Sequence, residues 1–137
     1  MPSEYFGKVK SLLLDLDHAI THEDEGQELF IVNDEDSGIN NLIVDCEDPL
    51  LVLEQIIMPI PQEPGNLFRR LLQMNRLLVH GAFVLDEETQ TILFRDTLRI
   101  ENLDSNELEG SIEALSLALA ENAGELLSYT KSKRALQ

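Results

Sequence analysis

The sequence predicts an α+β domain in which helices pack on an antiparallel sheet, with the element order α-β-β-β-α-β-β-α. Apolar residues recur at three- and four-residue spacing in three segments, a pattern typical of amphipathic helices. Short apolar runs bounded by turn residues lie between these segments and are typical of strands. The short connections between these runs favour antiparallel pairing. A chain of 137 residues is long enough for one domain, residues 1–137, with a core of its own.

The first helix is predicted over residues 4–20, with Ser3 as its N-cap. A polar cluster, residues 21–26, follows it, and Gly26 is read as the stop signal. The apolar face of this helix consists of Phe6, Val9, Leu13, Leu16 and Ile20.

Three strands are expected next, over residues 27–33, 39–46 and 50–58. The first two are rich in β-branched residues and are separated by an acidic turn, residues 34–38. The third ends in a proline-bearing tract, residues 59–65, because proline cannot continue a helix or a central strand.

The second half is expected to form a helix, a hairpin and a closing helix. The helix covers residues 64–77, and the hairpin joins strands 81–86 and 90–96. The closing helix covers residues 105–130, and Asp104 precedes it as the first residue of an acidic capping box.

The charge balance excludes two classes of partner. The formal net charge is −16, and residues 11–68 contain 14 acidic residues and no Lys or Arg. Such a surface repels nucleic-acid phosphates and anionic membranes, so neither is expected as a partner. The basic tail, residues 131–134, is too short to reverse this. High acidity also keeps a protein soluble while it exposes apolar surface, and it attracts basic partners.

The cysteine count and the start of the chain indicate a cytoplasmic protein. Cys46 is the single cysteine, which excludes an internal disulfide framework. Met1 leads into polar residues without the basic and apolar regions of a signal peptide. The apolar runs are also too short to span a bilayer.

Residue types that carry catalysis are sparse, so we expect a non-enzymatic protein without a cofactor. His80 has no nucleophile elbow or cysteine–histidine signature near it, and Cys46 ends an apolar strand where thiols are usually inert. Glycine-rich phosphate loops are absent from the sequence. No catalytic residue is assigned.

One cluster leaves an alternative open. Asp15, His18 and His22 follow one another at i, i+3 and i+7 and would share a face of the predicted first helix. Imidazole and carboxylate groups are ligands of transition metals. A regulatory or sensory module that binds a metal through these three residues therefore stands beside the protein-binding hypothesis.

The stretch from residue 71 to residue 127 resembles the later half of the Tir chaperone (CesT-type) family. These are class I type III secretion chaperones, and the YbjN-like proteins are similar. The resemblance consists of a helix ending in Leu-Leu-x-x-Asn, a small-residue strand, an apolar second hairpin strand and an Asn-Leu-Asp link into a long helix. In this sequence they are Leu71, Leu72 and Asn75, then Gly81 and Ala82, then residues 92–94 and 102–104.

This resemblance implies a small acidic homodimer that shields an extended apolar segment of a protein client, such as a secreted effector. Carried over by position, the dimer-interface candidates are Phe68, Leu72, Asn75, Phe83 and Phe94. The client-face candidates are Leu29, Ile31, Leu42, Val44, Leu51 and Leu53.

Overall fold

A computed structural model describes residues 3–135, with side chains described for residues 3–130, so the tail at 131–134 lies outside the described side chains. Within that part the element order is α-β-β-β-β-α-β-β-α. The helices are α1 (Glu4–Asp15), α2 (Leu67–Leu77) and α3 (Ser105–Ala135). The strands are β1 (Ala19–Asp24), β2 (Leu29–Asp34), β3 (Ile39–Glu47), β4 (Leu50–Pro59), β5 (Ala82–Asp86) and β6 (Thr91–Arg99). The predicted α+β class is confirmed, with one strand more than predicted.

The additional strand, β1, corrects the predicted first helix. That helix ends at Asp15, because Asp17 adopts a left-handed conformation with φ of 62°. The amide of His18 then donates to the carbonyl of Leu13 over 3.0 Å, which closes the helix in a Schellman motif. The segment that follows pairs with β2 as β1, so Gly26 lies in the β1–β2 turn and does not end a helix.

The other element predictions are confirmed with small shifts of their ends. The hydroxyl of Ser3 accepts a hydrogen bond from the amide of Phe6, as expected of an N-cap. The carboxylate of Asp104 accepts one from the amide of Glu107 over 2.8 Å at the start of α3. The helix α2 begins at Leu67, because Pro64 and Gly65 form a turn in front of it.

The six strands form one antiparallel sheet in the order β1-β2-β3-β4-β6-β5. The first four strands are joined in sequence order. The strand β6 pairs with β4, and β5 is therefore an edge strand. The register places Val44 opposite Leu53, and Phe83 opposite Phe94.

The core lies between the three helices and one side of the sheet, which we call the covered face. The ring of Phe6 on α1 stacks on Phe30 of β2, with ring centroids 4.5 Å apart. Burial of such side chains is the main favourable contribution to folding. The covered face and the helices contribute to one cluster of buried residues, including Val44, Leu51, Leu53, Ile92 and Phe94 from the strands, and Leu13, Leu71, Met74, Ile112 and Leu115 from the helices.

Candidate functional site

The second side of the sheet is not covered by any helix of the described residues, and we call it the open face. Because successive side chains of a strand point to opposite sides, the neighbours of the core residues lie on this face. Val52 and Leu93 are buried but do not belong to the core cluster beneath the helices, as this alternation requires. The open face contains Leu29, Ile31, Ile43, Asp45, Leu50, Val52, Glu54, Ile56, Val84, Leu93 and Arg95.

Apolar side chains occupy two patches of the open face. In the first patch Ile31 of β2 stands opposite Ile43 of β3. In the second, Leu93 of β6 stands opposite both Ile56 of β4 and Val84 of β5. Ile56 is 57% exposed, which is high for a large apolar side chain in the middle of a sheet. Exposed apolar surface of this kind is typical of protein-binding sites.

An ion pair lies beside both patches, since Glu54 stands opposite Ile43 and two residues before Ile56. The guanidinium of Arg95 lies 2.9 Å from the carboxylate of Glu54, measured from Nε to Oε1. The two residues are cross-strand partners on β4 and β6. Their pairing keeps both charges at the surface of the sheet between apolar neighbours.

Asp45 is the most perturbed acid of the open face. It stands between its cross-strand partners Leu29 and Val52. Burial, a side-chain hydrogen bond with Glu47 and the negative charges of Glu47, Glu54 and Glu28 together raise the pKa of Asp45 to about 6. The buried Oδ1 atom of Asp45 has no hydrogen-bond partner among the described residues.

A second apolar surface lies on the outer side of α2 and continues to residue 79; we call it the α2 surface. Phe68 and Leu72 are four residues apart on the helix and are exposed, Leu72 to 73%. Leu77 and Val79 extend the exposed apolar area beyond the end of the helix. The α2 surface thus exposes four large apolar side chains within one short segment.

Side-chain hydrogen bonds connect α2 to both β5 and α3. The side-chain amide of Asn75 donates to the carbonyl of Phe83 over 3.1 Å and accepts from the amide of Phe83 over 2.8 Å. These bonds satisfy backbone groups on the outer edge of β5. On the other side, Arg70 forms two hydrogen bonds with Glu125 of α3, at 2.5 and 2.8 Å, and lowers the pKa of that carboxyl. The α2 surface is therefore presented on a fixed helix.

Gly81 permits the sharp turn between α2 and β5. Its φ of +75° lies in the left-handed region, and a Cβ atom there would collide with the ring of Phe94. A glycine is thus required for Asn75 and Phe83 to meet.

The structure divides the predicted client-face residues between the two sides of the sheet. Leu29 and Ile31 lie half-buried on the open face. The other four lie in the core of the covered face, with at most 3% of each side chain exposed: Leu42, Val44, Leu51 and Leu53. Ile43, Leu50 and Ile56, which the prediction omitted, are exposed apolar residues on the same two strands.

The dimer-interface candidates divide between exposed and buried positions. Phe68 and Leu72 are exposed on the α2 surface, whereas Phe83 and Phe94 are buried against each other edge to face, with centroids 5.6 Å apart. Asn75 is engaged with the backbone of Phe83.

The candidates for metal binding do not share a helix. Asp15 ends α1, His18 lies in the following turn and His22 lies on β1, so the helical face on which that hypothesis depended does not exist. Among the described side chains, no group of three or more His, Cys, Asp or Glu residues is arranged to hold a metal ion.

The two catalytic candidates, Cys46 and His80, lie on separate elements. Cys46 is buried on β3, and burial raises the pKa of its thiol to about 12, so the nucleophilic thiolate is scarce at neutral pH. His80 is exposed in the turn before β5. Among the described helices, none has the length and apolar character needed to cross a membrane.

Solved structures of other proteins share this fold of three helices on one side of an antiparallel sheet. YbjN from E. coli has this fold, with a TM-score of 0.69, 15% identity and coverage of 88% of this chain and 92% of that one. A HopA1–SchA chaperone–effector complex matches with a TM-score of 0.61 and 16% identity, covering 84% of this chain and 91% of that one. The Yersinia pestis type III secretion chaperone SycH, in complex with a stable fragment of YscM2, matches with a TM-score of 0.62 and 15% identity, covering 85% and 98%.

The sequence itself identifies the family. The CesT_Tir_1 family model matches residues 2–132, nearly the whole chain, so the protein belongs to this family. A search of curated protein sequences gave no match. The resemblance to CesT-type chaperones and to YbjN-like proteins is thus confirmed.

Proposed function

We propose that the protein is a non-enzymatic chaperone that holds an extended apolar segment of a protein client on its open face. The observation that carries this proposal is the pair of apolar patches, each with an exposed isoleucine (Ile43 or Ile56), on a sheet whose opposite side is already packed against the protein's own helices. A chaperone of this kind acts by burying client surface and needs no covalent step.

The membership in the CesT_Tir_1 family supports a protein client. The structurally similar HopA1–SchA complex is a chaperone–effector complex, which supports a client of the secreted-effector class. The acidic surface supports the same function, because net charge keeps exposed apolar surface from aggregating.

Affinity capture from the native lysate tests the open face. We expect the unmodified protein to retain a partner, and a double variant, Ile43→Asp with Ile56→Asp, to lose it because charges would enter both apolar patches. The matched control is Leu117→Asp on α3, since Leu117 is 59% exposed and Ile56 is 57% exposed. Retention of the same partner by the double variant, or capture of no partner by the unmodified protein, would contradict the proposal.

We further propose that two copies associate through the α2 surface. Four exposed apolar side chains lie there beside two exposed arginines, Arg69 and Arg76. In a chain with a net charge of −16, these cations favour contact with the acidic surface of a second copy.

Sedimentation velocity at micromolar concentration tests this association. We expect a dimer for the unmodified protein and a monomer for Leu72→Glu, because the substitution places a charge at the centre of the α2 surface. The control is Leu127→Glu on α3, where Leu127 is 53% exposed. A monomeric unmodified protein, or a Leu72→Glu variant that remains dimeric, would refute it.

A further inference from the structure

Asp45 occupies an unusual position for an acid. It lies on β3 in the interior of the sheet, with Leu29 and Val52 as its direct neighbours on the two adjoining strands. Carboxylates are normally found where water can solvate both oxygens. Here the apolar neighbours leave the Oδ1 atom buried and without a hydrogen-bond partner among the described residues.

The charges around Asp45 make this position less favourable still. Burial is the largest cause of its raised pKa, followed by a side-chain hydrogen bond with Glu47 and by the negative charges of Glu47, Glu54 and Glu28. Because the resulting pKa of about 6 lies below neutral pH, most of the population carries a charged Asp45 in neutral solution. A charged oxygen that is buried without a donor costs free energy in the unbound protein.

The cations of the described chain have other positions or partners. Arg95 pairs with Glu54 at 2.9 Å, and Arg99 stands two strands away from β3, opposite Leu50. Lys10 pairs with Glu23 at 3.0 Å. None of these cations is paired with Asp45, so Asp45 and Glu47 carry negative charge on the open face that a cation of a bound molecule would neutralise.

We propose that the client segment held on the open face carries an arginine or lysine among its apolar residues, and that its cation binds Asp45. This inference rests on the proposed function and specifies the class of client. In an extended segment, side chains two residues apart face the same side. Both apolar patches lie in the same direction from Asp45 along the strands, so apolar residues at two-residue spacing on one side of the cation would contact them while the cation reaches Asp45. Arginine is favoured over lysine, because its planar donors can also reach Glu47, which lies on the same side of β3.

Synthetic peptides test this inference. The probe is a fluorescent nine-residue peptide that alternates Val and Thr, with Arg at the central Val position. The comparison peptide has citrulline there, which is a neutral group of nearly the same shape. Anisotropy titrations should show that the unmodified protein binds the Arg peptide about tenfold more tightly, since a charge-assisted hydrogen bond is made to a half-buried carboxylate.

Two variants separate the specific contact from the general attraction of an acidic protein for a cation. Asp45→Asn should reduce the preference for Arg to about twofold or less, whereas Glu109→Gln on α3 removes an equal charge from an exposed position and should keep it. Asp45→Ser serves as a second variant, and circular dichroism verifies that each is folded.

The outcomes distinguish this inference from the proposed function. Binding of both peptides with equal affinity, or a preference that survives in Asp45→Asn, overturns the inference and leaves the open face as a client site. Binding of neither peptide contradicts the client site as well. If Asp45→Asn instead weakens self-association in sedimentation velocity and leaves the peptide preference unchanged, the donor belongs to a second copy and the inference is wrong.

Discussion

The two faces of the sheet are built from the same strands but differ in whether their buried polar atoms have hydrogen-bond partners. On the covered face, buried Gln55 has both ends of its amide satisfied: it accepts from the amide of Asn40 over 3.0 Å and donates to the carbonyl of Gly38 over 3.1 Å. On the open face, Asp45 has a buried oxygen without a partner in the described residues. The covered face is thus complete within the protein, whereas the open face has unmet apolar and polar contacts. This difference supports the proposal that a client binds on the open face.

The largest difference between the two faces is expected in the stability lost when an apolar side chain of each face is truncated to alanine. Leu51→Ala should lower the free energy of unfolding by about 2–5 kcal/mol, because Leu51 is fully buried and the substitution leaves a cavity. Ile56→Ala on the same strand should cost less than about 1 kcal/mol, because water already reaches its side chain. Urea unfolding of both variants measures this, and equal losses would show that the open face is packed as tightly as the core.

The next largest effect concerns the buried polar group of the covered face. Gln55→Leu should destabilise the protein by about 1–3 kcal/mol, because the amide of Asn40 and the carbonyl of Gly38 lose their partner. Gln62→Leu, in the exposed loop after β4, is the control and should change stability by less than about 0.5 kcal/mol. A neutral effect of Gln55→Leu in thermal unfolding would mean that water replaces these bonds.

A smaller change, and this time a gain in the free energy of unfolding, is expected when Asp45 is substituted. Because its pKa rises from 3.8 to about 6 on folding, the folded state binds this proton more tightly, and stability falls as the pH rises through this range. Asp45→Asn should therefore stabilise the protein by about 1 kcal/mol at neutral pH, after allowance for solvent screening. The gain should vanish below the unfolded-state pKa of 3.8.

The control for Asp45 is Asp36→Asn in the exposed turn after β2, which removes an equal charge and should change the free energy of unfolding by less than about 0.5 kcal/mol. Urea unfolding from acid to neutral pH gives both curves. The carboxylates that face Asp45, namely Glu28, Glu47 and Glu54, remain in both variants, so the difference isolates Asp45. A loss of stability on Asp45→Asn at neutral pH would show that the carboxylate has a partner in solution.

Local patterns explain why most of the fold could be predicted and one strand could not. The later hairpin and both later helices follow apolar spacing closely. The first helix was extended too far because Leu16 and Ile20 continue the helical spacing, although Asp17 turns the chain. A glycine often marks a left-handed position in a sequence, whereas an aspartate does not mark one as clearly. The end of the helix at Asp17, and therefore the strand β1, was not predicted.

The candidate site was predicted less well than the fold. The run from Leu50 to Met58 is apolar at nearly every position, so alternation could not indicate which side chains face the helices. The prediction selected Leu51 and Leu53, which are buried, and omitted Ile56, which is exposed. Deciding between the two faces requires the positions of the helices, which are tertiary information.

The smallest expected change in stability concerns the ion pair of Glu54 and Arg95 beside the two apolar patches. Arg95→Gln should change the free energy of unfolding by less than about 0.5 kcal/mol, because an exposed pair gains little over its hydrated ions. The same variant leaves Glu54 without its cation and so adds an uncompensated negative charge to the open face beside Asp45. We therefore expect it to bind the arginine peptide more tightly than the unmodified protein does, while binding of the citrulline peptide stays nearly constant. Weaker binding of the arginine peptide would mean that Arg95 itself contacts the client. The acids of the open face would then serve to position Arg95.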